Sequence, residues 1–170
     1  MPSILTYTFV CLLIITSIVR IWLGRRHIAY VQHHRNDVPV AFNANIALEA
    51  HQKAADYAAV KTKLAMTESI VQILLLLTLT LAGGLQFIDD IWRHALPAQE
   101  IVRGALVICS VLLLSSLIDV PYDYYRTFVV DEKFGFNKMT VSMFFSDLIK
   151  HSLVGIVLGA PILFAALWLM

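Results

Sequence analysis

The six histidines of this 170-residue sequence are its most obvious potential metal ligands, and their spacing argues against that use. His27, His33, His34, His51, His94 and His151 form no His-Glu-x-x-His run, the pattern that puts two imidazoles on one helical face with a general base between them. His33 and His34 are adjacent, so on a helix they point about 100° apart and do not readily share one ion. They read instead as a solvated basic patch near lipid headgroups. Serine catalysis finds no better footing. Ser110, Ser115 and Ser116 lie in an apolar run with no Gly-x-Ser-x-Gly turn, and a serine in such a helix normally bonds its own backbone or a neighbouring helix. Cys11 and Cys109 have no partner at a ligand-like spacing and are expected as small buried hydrophobes. No residue is therefore assigned as catalytic or metal-binding.

What remains is a polar, aromatic stretch, Asp119-Val-Pro-Tyr-Asp-Tyr-Tyr125 followed by Arg126 and Thr127-Phe-Val-Val-Asp-Glu-Lys-Phe-Gly-Phe-Asn137. Asp119–Tyr125 reads as the end of the third apolar run and Thr127–Asn137 as a charged loop leading to the fourth. An acid inside a membrane segment is costly and faces protein or a watery cavity, whereas one at the interface sits among an aromatic belt; Asp119 with its tyrosines admits both readings. Pro121 is placed to kink the helix that carries it. Further on, Gly155-x-x-x-Gly159 is a spacing that lets another helix approach closely, whether from this chain, a further segment or a second copy.

The elements that position these residues follow from composition. The chain is 59% hydrophobic and only 15% charged, with a mean hydropathy of +0.74, which places it among integral membrane proteins. A net charge of +1 leaves no basic stripe for a phosphate backbone, so nucleic acid is excluded as a partner and lipid is the expected surrounding. Apolar runs near residues 4–23, 70–88, 104–122 and 148–170 are long enough to span a bilayer. They must be helical, because so few strands cannot close a barrel and an open sheet leaves backbone groups unsatisfied in lipid. The expected fold is all-α, polytopic, with four transmembrane helices in a single membrane domain covering residues 1–170. The first run lacks a basic stretch before it and a small-x-small site after it, and so reads as a retained anchor.

Basic residues set the expected orientation. Arg25, Arg26, Arg35, Lys53, Lys61 and Lys63 lie between the first two runs, and Arg126, Lys133, Lys138 and Lys150 between the last two; the intervening connection has Arg93 and Arg103. Cytoplasmic loops carry the excess of Lys and Arg, which puts both ends of the chain outside. Within the cytoplasmic segment 25–67, Asp37-Val-Pro39 marks a turn. An amphipathic helix follows from about Asn45, with Ile46, Ala50, Ala54, Tyr57, Ala58 and Leu64 on one face and a Glu49–Lys53 pair four residues apart.

Asp119-x-Pro121, Tyr125-Arg-Thr-Phe128, Val129-Val-Asp-Glu132 and Phe134-Gly-Phe-Asn137 together closely resemble the N-terminal membrane region of the CAAX prenyl protease family, integral-membrane zinc metallo-endopeptidases. Asp119 and Asp131 stand where that family more usually has glutamate, and Val120 where it has leucine. Arg25-Arg26-His27 and the segment Phe42 to Lys63, with its Leu48-Glu-Ala-His-Gln-Lys-Ala-Ala-Asp-Tyr57 centre, are similar to bacterial members. The resemblance thus implies a bacterial cytoplasmic membrane.

It also implies a larger protein, a seven-helix bundle around a chamber. A cytoplasmic zinc domain would carry a His-Glu-x-x-His motif and a later glutamate, absent from this sequence. On that basis the chain is expected to bind no cofactor, with zinc held elsewhere in the full-length protein. Its partners would be the C-terminal catalytic half and, in the complete enzyme, a peptide or protein substrate. Asp119, Pro121, Tyr125, Thr127, Phe128, Asp131, Glu132, Gly135, Phe136 and Asn137 become the signature residues that brace the zinc domain, with Gly155 and Gly159 in helix packing. The competing reading is a small four-span transporter subunit or interaction protein; a transporter needs a mid-span coupling acid, and the sequence offers only Asp119, near the end of a span. A His-Glu-x-x-His motif in the downstream reading frame would decide for the protease.

Overall fold

The computed structural model describes residues 3–39 and 46–169. Its elements in order are α1 (Ile4–His33), α2 (Leu48–Thr80), α3 (Gly84–Ala95), α4 (Glu100–Tyr125), a π-helix (Arg126–Asp131) and α5 (Val141–Leu169). There is no strand among the described residues, and the fold is all-α as expected. Among the described residues four helices are long and apolar enough to cross a membrane: α1, α2, α4 with its π-helical extension, and α5. The reason that so few residues are buried is the solvent these helices meet. Leu113 is 70% exposed and Ile162 71% exposed, which is costly in water but ordinary for a helix surface in lipid tails. Cys11 and Cys109 are exposed on such surfaces, not buried as the sequence suggests, because an apolar run in a membrane protein need not face inward.

The helices overrun the apolar runs that announce them. Ser3 caps α1, accepting from the Thr6 backbone N–H, and α1 then runs 30 residues, about 45 Å against a hydrocarbon core of about 30 Å. Its last turns, beyond Leu23, carry Arg25 and Arg26 out of the apolar stretch as helix. The expected amphipathic helix is equally the first half of α2, whose 33 residues continue unbroken into the second apolar run. Its buried face differs from the expected one. Ala55 and Ala59 are buried, while Ala50 and Ala54 are exposed, so the small residues that admit close packing are shifted one position round the helix. Lys53 lies over the Phe136 ring at 5.4 Å, and no Glu49–Lys53 ion pair forms among the described residues. The Val40–Asn45 part of this segment lies outside the described residues.

The expected 70–88 span is broken in the structure. Gly83 takes φ +80, a conformation with no steric cost for glycine. A Cβ on Gly84 would stand 2.9 Å from both the Thr78 carbonyl oxygen and the Leu79 Cα. Two consecutive glycines therefore let the chain leave α2 and start α3 at once. α3 has 12 residues, about 18 Å, too short to cross the bilayer core.

Two compact units are present: Met1–Leu74 with Tyr125–Asn137, and Leu75–Tyr124 with Lys138–Met170. In the second, Asp89 pairs with Arg93 at 2.6 Å and Arg103 at 3.3 Å. The hydrogen bond to Asp89 holds the Arg93 guanidinium above its ordinary pKa, with the charge attraction adding to it. Trp92 donates to Ser110 Oγ at 2.9 Å, and Ser110 donates to the Leu106 carbonyl at 2.8 Å. This serine thus serves its own backbone and a neighbouring helix, the structural role its setting predicted. A methyl group on Gly155 or Gly159 would meet nothing within 4 Å, so the close helix contact their spacing suggests is not made with another described part of this chain.

Candidate functional site

The polar stretch read as a loop is mostly helical. α4 continues through Pro121 to Tyr125 and passes directly into the π-helix Arg126–Asp131. Such wide turns are rare and recur where a helix must re-aim its side chains. Val130 is turned inward, at 2% exposure, while Tyr125 and Val129 stay exposed.

Phe134-Gly-Phe-Asn137 then stops the helix. The Phe136 N–H bonds the Asp131 carbonyl at 2.8 Å and the Gly135 N–H bonds the Glu132 carbonyl at 2.9 Å. With Gly135 at φ +70, this pair of bonds is the Schellman arrangement of a helix C-terminus. The Asn137 side chain closes the corner by donating to Glu132 at 2.9 Å.

This corner is held against the polar half of α2. Tyr57 donates its hydroxyl hydrogen to Asp131 Oδ1 at 2.9 Å, and Lys61 donates to the Tyr57 oxygen at 3.3 Å. The Tyr57 ring meets Phe134 edge-on at 5.4 Å and Phe136 at 4.9 Å, with Phe134 buried. Further along α2, Glu68 receives a 2.7 Å bond from Arg126. The aspartate at 131 is thus long enough to find its partner.

The contacts divide the signature. Asp131, Glu132, Gly135, Phe136 and Asn137 form the corner. Thr127 and Phe128 lie half-buried in the π-helix, and Tyr125 ends α4. Asp119 and Pro121 lie on α4 in the other compact unit. Arg126 lies inside the quoted motif and Tyr57 in the Leu48–Tyr57 segment, but their pairing with Glu68 and Asp131, and the Lys61 contact to Tyr57, were not read from the sequence.

The base of α2 is fixed independently. Arg35 grips Asp56 through two bonds of 2.9 and 2.8 Å, and His51 Nε2 lies 3.0 Å from the His34 carbonyl. Hydrogen bonding to Asp56 raises the Arg35 pKa further above its ordinary value.

No group of three or more His, Cys, Asp or Glu side chains among the described residues is arranged to hold a metal ion. The arrangement locks a helix-end corner onto the polar half of α2.

Residues 27–170 match the family model described as CAAX prenyl protease N-terminal, five membrane helices. The chain belongs to this family. Relatives in the CAAX prenyl protease group include the CAAX prenyl protease 1 homolog of Caenorhabditis elegans, 32% identical over 88% of this chain and 34% of that protein. CAAX prenyl protease 1 of Saccharomyces cerevisiae is 32% identical over 81% of this chain and 33% of its own length. The chain therefore spans about a third of the length of these relatives. In fold it is similar to the crystal structure of S. mikatae Ste24p, with a TM-score of 0.65, 24% identity, and coverage of 90% of this chain and 38% of that one. CAAX prenyl protease membership agrees with the resemblance carried by the 119–137 signature, and the chain is an integral membrane protein. Of the five α-helices among the described residues, the short α3 is the one that falls below spanning length.

Proposed function

We propose that this chain is the non-catalytic membrane portion of a zinc-dependent CAAX prenyl protease-like endopeptidase. It would contribute to a chamber wall and present the 126–137 corner as a brace for a catalytic domain. The observation that carries this reading is the attachment of the corner to α2 through Tyr57–Asp131 and Arg126–Glu68. A brace must be rigid and polar where it meets its load, and this one has Val130 and Phe134 turned in and Glu132 and Lys133 turned out. Zinc and the peptide or protein substrate would be held by the catalytic half, which supplies the His-Glu-x-x-His ligands this chain lacks. The purified chain in detergent is expected to hydrolyse no prenylated or unmodified peptide, with or without added zinc. Chelator-sensitive cleavage by the chain alone would overturn the reading.

We further infer that both chain ends lie outside and that the corner faces the cytoplasm. Support comes from the lysines and arginines of the 25–67 and 126–150 segments and from the fact that α2 and the corner, which touch, need the same compartment. Lys138→Cys in sealed, right-side-out vesicles should resist an impermeant thiol reagent until the vesicles are opened; immediate labelling would reverse the orientation. The bacterial membrane expected from the sequence rests on the 25–63 segment, since the relatives named above are eukaryotic.

A further inference from the structure

We propose that the groove between α1 and the polar half of α2 is a binding site for an anionic phospholipid. The groove, about 540 Å³, is lined by Arg25 and Lys63 together with Gln32, Met66, Thr67 and Ile70. Gly24 lies against Met66, whose sulfur would stand 2.7 Å from a methyl group on that glycine, and Gln32 reaches Asp56 at 3.5 Å. The two helices therefore run antiparallel in a register that sets Arg25 and Lys63 within a turn of one height. That height lies just beyond Leu23, where the first apolar run ends, and beside Trp22, over whose ring Arg26 sits at 5.4 Å. A tryptophan flanked by arginine marks the level of the headgroups.

Charge complementarity names the occupant. Arg25 and Lys63 make no ion pair with a described residue, in contrast to Arg35, Arg93, Arg103 and Arg126, each of which has a carboxylate partner. Two unneutralised cations at headgroup height suit a phosphate diester, and basic pockets between membrane helices commonly hold anionic headgroups. Apolar lining flanks the two cations on both sides, Ile28 and Ala29 on α1 away from the first apolar run and Met66 and Ile70 on α2 towards the second; the latter pair suits an acyl chain descending from the same molecule. Thr67 and Gln32 offer hydrogen-bonding groups to the glycerol and headgroup oxygens. A soluble anion would use the cations and leave the apolar wall uncovered. The site depends on neither the protease reading nor the orientation of the chain.

The test is native mass spectrometry of the full 170-residue chain released from nanodiscs of equimolar phosphatidylglycerol and phosphatidylcholine. The chain should retain phosphatidylglycerol over phosphatidylcholine by about thirtyfold, the combined effect of two cations at the membrane surface. R25Q/K63Q should abolish the preference, while R25K/K63R, which keeps the charges, and K138Q/K150Q, which removes two charges elsewhere, should keep it. Equal retention of the two lipids by the unaltered chain, an unchanged preference in R25Q/K63Q, or an equal loss in K138Q/K150Q would overturn the site. Displacement of the lipid by inorganic phosphate at equal concentration would overturn the lipid assignment in favour of a free-anion site.

Discussion

Gly135→Val should detach the 134–137 corner from α2 and expose Lys133 and Lys138 to trypsin about thirtyfold faster, a loss of about 2 kcal/mol in local stability. The cause is backbone conformation, not space. A methyl at Gly135 would meet the Lys53 ammonium at 3.6 Å, an ordinary contact, but a β-branched residue at φ +70 is strained. Relieving that strain means giving up the Phe136–Asp131 and Gly135–Glu132 backbone bonds. Phe134 and Phe136 then leave the Tyr57 ring. Asparagine tolerates this conformation, so Gly135→Asn should accelerate cleavage by no more than about fivefold. Tyr57→Phe, which keeps the ring but removes the 2.9 Å bond to Asp131, should give a similar small change, worth about 1 kcal/mol. Cleavage of Gly135→Val at the rate of the unaltered chain would show that the corner is not held by its cap. These rates report local opening provided the corner recloses faster than trypsin cuts.

The membrane class was legible because apolar runs of this length have few soluble explanations, and the signature identified the family because its residues recur as a set. Helix ends were less legible. Arg25 and Arg26 mark where α1 leaves lipid, but a polar sequence continues a helix as readily as an apolar one, so α1 runs on to His33. The break at Gly83-Gly84 was not read within the 70–88 run, because the φ of Gly83 and the backbone pressed on Gly84 are properties of the fold. Phe134-Gly-Phe-Asn137 drew attention as a family motif, although its glycine after a polar helical turn is also a readable helix stop. The partners of the corner were hidden for a different reason. Tyr57 and Asp131 are separated by 74 residues, and nothing in one local pattern reports on the other. Gly155 and Gly159 show the reverse case, in which a local pattern suggests a contact that no other described part of this chain makes.

Arg126→Met should cost the chain about 3 kcal/mol in equilibrium unfolding in mixed micelles, more than Glu68→Gln, at about 1 to 2 kcal/mol. The two side chains are 29% and 19% exposed and 2.7 Å apart, so the pair is partly shielded from water. Glu68 lies two residues before Ile70, where the second apolar run begins. Removing the guanidinium leaves a carboxylate at the edge of the hydrocarbon with its charge uncompensated. Removing the carboxylate instead leaves an amide that still accepts from Arg126, and arginine reaches water more easily along its stem. The double variant Arg126→Met/Glu68→Gln should therefore be less damaged than the sum of the two, by about 1 to 3 kcal/mol. Additive losses would mean that the pair does not hold the π-helix to α2. The attachment would then rest on the Tyr57 cluster alone, about 16 Å away along α2 by helical rise, and Arg126→Met would leave tryptic cleavage at Lys133 unchanged. Non-additivity together with faster cleavage identifies Arg126–Glu68 as the second anchor, which fixes the direction in which the corner projects as well as its position.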